Sequence, residues 1–148
     1  MSCAAVAAVA VLWLAAAPPP GSAGISPPPP PPAVSVAKEP LFADIVARAG
    51  ALKAAVEAFK AGPPTPAFKQ AIGELAALDM QGHFALAKRG TDGDLKCILK
   101  GIAEDLPLKL KALEDAATDK ARVQAVQDLG YLLNDNVEVI TSPPEGQV

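Results

Sequence analysis

Residues 95–113 read LKCILKGIAEDLPLKLKAL. Leu95, Leu99, Ile102, Leu106, Leu110 and Leu113 recur at intervals of three and four, which on a helix draws one apolar stripe along one face. Thr91-Asp92-Gly93-Asp94 ahead of the stripe has capping-box spacing, with Asp in place of the usual Glu. Pro107 removes one backbone hydrogen bond midway and predicts a kink. Lys96, Lys100, Lys109 and Lys111 lie among the polar positions and read as a solvated face.

Three more segments carry the same period. From Pro40 to about Ala61 the stripe is Leu41, Ile45, Ala49, Leu52, Val56 and Phe59, closed by Gly62-Pro63-Pro64. Thr65 is then a natural N-cap with Pro66 at the first helical position. The next helix runs to about Lys88 on Phe68, Ala71, Ile72, Leu75, Leu78 and Leu86, and Arg89-Gly90 ends it with a cation and a glycine. Thr118 or Asp119 caps the last helix, whose stripe is Val123, Val126, Leu129, Gly130, Leu133, Val137 and Ile140, stopped by Pro143-Pro144. Long helices joined by short loops are antiparallel neighbours. The expected fold is all-α: an antiparallel up-down-up-down four-helix bundle over residues 39–142, with a polar tail at 143–148.

The front of the chain is built differently. Residues 1–37 contain no Lys, Arg, Asp or Glu. An apolar run from Cys3 to Ala17 is short for a bilayer span, which takes about 20 residues, but suits the core of a secretory signal. Gly21-Ser22-Ala23 supplies small residues for cleavage before Gly24. Residues 1–23 are therefore expected to be a cleaved signal peptide, although only the amine of Met1 provides positive charge before the apolar run. The expected location is periplasmic or secreted, and the alternative is an N-terminal membrane anchor with the domain facing outside. Residues 24–38 read as a Pro-rich linker, in which Pro27–Pro32 favour polyproline II.

Net charge is −3 with no basic block, so a nucleic-acid footprint is absent. Removal of Cys3 with the signal leaves Cys97 as a lone thiol, and hence as the candidate for a disulfide-linked homodimer. No Gly-rich phosphate loop, serine-nucleophile motif or paired catalytic carboxylates occurs. The residues point to binding or interaction rather than catalysis.

One place breaks the apolar pattern. At 100° per residue, Asp79 projects within about 20° of Phe68 and His83 within about 60°, so both fall inside the core-facing stripe. Four residues apart, they are placed to meet on one face. Gly82 beside them leaves room for a close approach to the backbone. His83 is the chain's only histidine. Two readings are open: a mutually satisfied structural pair, or a cofactor- or metal-binding site in which His83 is a ligand and Asp79 a second ligand or orienting partner. A c-type haem is excluded because Cys97 is followed by Ile98-Leu99-Lys100 rather than C-x-x-C-H, and a di-iron carboxylate site needs two histidines. Met80 stands on the same helix as His83, so the two cannot ligate opposite faces of one haem. The cofactor itself is not specified. Asn134, at the edge of the last stripe, is a candidate partner for Asp79 across the bundle.

Overall fold

The computed structural model describes residues 36–90 and 94–142. The expected signal, most of the proline linker, Thr91 and the tail at 143–148 lie outside the described residues. Contacts divide the chain into two units, Met1–Ala33 and Val34–Val148.

The described part of the second unit is all-helical. A 3₁₀ turn, Val36–Lys38, leads into α1, Pro40–Val56, which tightens into a 3₁₀ segment, Glu57–Lys60. Then come α2, Pro66–Arg89; α3, Leu95–Glu114; and α4, Asp119–Thr141. The expected first helix thus keeps its length but changes pitch in its last turn, as helix ends commonly do. Gly62-Pro63-Pro64 immediately beyond it forbids further α-helix. Thr65 accepts from Phe68 N at 3.2 Å and Thr118 from Ala121 N at 3.1 Å, each satisfying one orphan amide of its helix. Gly90 ends α2 at φ 70°, a left-handed conformation that suits glycine, and its N–H bonds Leu86 O at 3.2 Å.

One local expectation needs correcting. The N-cap of α3 is Asp94, with no side-chain cap bond; its carbonyl accepts from Cys97 N and Ile98 N, both at 2.9 Å. Helix α3 runs continuously across Pro107, whose ring is exposed.

The core is one cluster drawn from all four helices. Its largest fully buried members include Phe42 and Ile45 from α1, Ile72 and Leu75 from α2, Leu99 and Leu106 from α3, and Leu129 and Leu133 from α4. Each helix packs against two neighbours: α1 on α2 and α4, and α3 on α2 and α4. Side-chain pairs mark the register. Between α1 and α2, Arg89 grips Glu39 through two bonds of 2.8 and 2.5 Å, Arg48 meets Glu74 at 3.2 Å, and Phe59 lies edge-on to Phe68 at 4.6 Å. Between α2 and α3, Lys69 pairs with Glu114 at 2.8 Å. Between α1 and α4, Lys53 donates to Asn134 at 2.5 Å.

Candidate functional site

Asp79 enters the core because α2 carries it on the same stripe as Ile72 and Leu75, both of which are fully buried. Asn136 enters from α4, three residues past Leu133 and four before Ile140. Each side chain is 0% exposed. Asn136 Nδ2 donates to Asp79 Oδ2 at 2.8 Å. The other oxygen of each side chain, Asp79 Oδ1 and Asn136 Oδ1, is buried with no hydrogen-bond partner. Burial pushes the Asp79 carboxyl up to about 7, while the Asn136 amide, which favours the charged form, pulls the other way.

His83 is half-buried and faces a different neighbour. Its Nδ1 lies 2.7 Å from the carbonyl oxygen of Lys96 at the start of α3. A carbonyl only accepts, so Nδ1 carries a hydrogen and donates it. The ring also packs at 5.1 Å from that of Phe84. The expected hydrogen-bonded pair of Asp79 with His83 is therefore not formed. Four residues advance a helix by about one turn plus 40°, which here is enough to aim Asp79 at α4 and His83 at α3.

Gly82 does admit a close approach, but by core side chains. A Cβ there would stand 3.1 Å from Leu99 Cδ1, 3.3 Å from Phe42 Cε1 and 3.4 Å from Ile45 Cδ1. Asn134, the partner expected for Asp79, instead accepts from Lys53 and donates to Glu138 at 2.7 Å on the outer face. The residue that sequence reasoning missed is Asn136. Its signal is present in the chain: it completes the 129, 133, 136, 140 spacing of buried positions on α4.

Cys97 is half-buried on α3. Among the described residues, no group of three or more His, Cys, Asp and Glu side chains is placed to hold a metal ion. No described helix is long and apolar enough to cross a membrane.

A second feature lies on the α1–α2 seam. A groove of about 390 Å³ opens there, lined by Leu52, Phe59 and Phe68 together with Ala51, Ala55 and Ala71. Arg48 and Thr65 stand at its margins. Three of its lining residues are alanines, and Ala51 and Ala55 among them are exposed. Arg48 is held there by two carboxylates, Asp44 at 3.0 Å and Glu74 at 3.2 Å, so its charge is already partnered.

No protein-family model, curated protein or solved structure matches the chain.

Proposed function

We propose that this chain is an exported, antiparallel up-down-up-down four-helix bundle that acts by binding a small apolar molecule in the groove between α1 and α2. The groove itself carries the reading. Its volume of about 390 Å³ falls within the range of small-molecule pockets, roughly 300–1,000 Å³, and its lining is almost wholly hydrocarbon with two aromatic rings. The contact pairs support the topology. From Glu39–Arg89 through Arg48–Glu74 to Phe59–Phe68, residue numbers rise along α1 as they fall along α2. His83–Lys96 and Lys69–Glu114 do the same for α2 and α3. The charge-free N-terminal segment with its apolar run supports export.

The test is titration of the natively folded protein with 1-anilinonaphthalene-8-sulfonate, a fluorophore whose aromatic rings fit an apolar groove and whose sulfonate stays in water. Saturable one-to-one enhancement is expected, abolished by Ala55→Leu, which fills the groove from an exposed position. Near-ultraviolet circular dichroism must remain native in both proteins, because loosened states also bind this dye. Absence of saturable binding, or binding that Ala55→Leu leaves intact, refutes the reading.

A second reading, a metal- or cofactor-binding bundle using His83 with Asp79, draws support from one observation. Metal-ligating histidines usually donate their other ring N–H to a carbonyl or carboxylate, as His83 does to Lys96 O at 2.7 Å. Visible absorption and metal analysis of the purified protein, repeated on His83→Ala, decide it.

A further inference from the structure

Two acceptor atoms sealed together in a core require a donor. Asp79 Oδ1 and Asn136 Oδ1 are both buried and unpartnered, while the two side chains are already joined by Asn136 Nδ2 donating to Asp79 Oδ2 at 2.8 Å. An ionised carboxylate would leave both orphan oxygens without a donor and its charge without a cation. The charged and titratable groups on the four helices include Asp44, Arg48 and Lys53 on α1, Glu74 and His83 on α2, Lys96, Lys100 and Asp105 on α3, and Asp135 and Glu138 on α4. All are exposed or half-buried, and none contributes to the titration of Asp79; only burial and Asn136 do.

A carboxylic acid and an amide are complementary. The acid O–H donates to the amide oxygen while the amide N–H donates to the other acid oxygen, closing a ring in which every polar atom is used. We propose that Asp79 is a neutral carboxylic acid in the folded protein, its hydrogen donated from Oδ1 to Asn136 Oδ1, so that the α2–α4 contact is a proton-binding site formed only by folding. The upward displacement of the carboxyl to about 7, driven by burial, agrees with this. The proton is taken up as the bundle folds around the pair and released when it unfolds.

The sign follows from linkage. Below about pH 4 the folded and unfolded chains are both protonated, and the pair's full contribution is present. Between about 4 and about 7 the unfolded chain ionises while the folded one keeps its proton, so the folding constant falls about tenfold per pH unit. From the ordinary 3.8 to about 7, the total fall is about a thousandfold. Above that range both states are ionised and the dependence ends.

Equilibrium unfolding of the full chain and of Asp79→Asn across pH 4–8 isolates the effect, because the amide at position 79 preserves the ring without a titratable hydrogen. The ratio of folding constants, wild type over Asp79→Asn, is expected to fall about tenfold per unit up to about pH 7 and then level off. A ratio that stays flat, or rises with pH, overturns the proposal. Carbon-13 NMR of the Asp79 carboxyl in the wild-type protein gives an answer even if Asp79→Asn does not fold. A midpoint near 7 supports the proposal, and one in the ordinary aspartate range of about 4, as a bridging water on an ionised carboxylate would produce, overturns it.

Discussion

Gly82→Ala probes how closely the helices meet beside Asp79, and two opposed terms set its outcome. Alanine is the better helix former by about 0.8–1 kcal/mol in a helix interior. Against this, the new methyl would sit 3.1 Å from Leu99 Cδ1, 3.3 Å from Phe42 Cε1 and 3.4 Å from Ile45 Cδ1. Leu99, Phe42 and Ile45 are each 0% exposed, so none can swing toward solvent to relieve the crowding. Overpacking of this kind costs about 1–3 kcal/mol. Gly82→Ala should therefore be destabilising by about 0–2 kcal/mol, the difference of the two terms. Gly73 on the same helix and Gly101 on α3 have nothing within 4 Å of the corresponding position. There the same change collects only the propensity term and should stabilise by about 0.5–1 kcal/mol. The decisive quantity is the gap between Gly82→Ala and Gly73→Ala, about 1–3 kcal/mol by urea unfolding at constant m. Equal gains at both positions would mean that α1 and α3 stand further from α2 than the structure places them.

Two further predictions concern the core and the N-terminus. Leu99→Ala and Leu133→Ala, both at fully buried positions, should each cost about 2–5 kcal/mol in denaturant unfolding, and a near-zero change at both would mean that the stripes do not face one core. Protein recovered from its own host should begin at or near Gly24 by intact mass; a cytoplasmic product that retains Met1 or Ser2 would refute export.

The helices are legible because two independent signals coincide along the chain. Thr65, Gly90 and Thr118 punctuate the apolar periods at the places where helix ends need capping, and each occupies that role in the structure. Periodicity is less able to set the edges of a stripe. It places Leu41 inside, yet Leu41 is half-buried while its neighbour Phe42 is fully buried. Adjacent residues differ by only 100° on the helical wheel, and the choice between them depends on where α2 and α4 lie. On α4 the same uncertainty admits Ala125 to the core and leaves Val123 and Val137 half-buried. The groove has no sequence signal of its own, because alanines at 51, 55 and 71 read as ordinary helix formers until the seam between two helices is known.

Asp79 is legible as a break in the pattern, but its partner is not, and the reason is physical. The sequence of α2 states that a carboxyl enters the core without stating which helix faces it. Proximity along the chain favours His83, yet the extra 40° per four residues turns that ring toward α3. The stronger constraint is polar satisfaction. A lone buried carboxyl or amide costs several kcal/mol, so a helix with one polar residue mid-stripe calls for a counterpart on a facing helix. Asn136 meets that requirement between Leu133 and Ile140. The same constraint acts on register. Sliding α4 by one turn along α2 displaces Asn136 by about 5.4 Å, far beyond hydrogen-bond reach. Both polar groups would then be buried without partners, whereas the apolar contacts, being non-directional, would discriminate far less against the slip. Among the described residues, the buried bond from Asn136 to Asp79 thus adds a directional constraint across the core to the side-chain pairs that mark register between neighbouring helices.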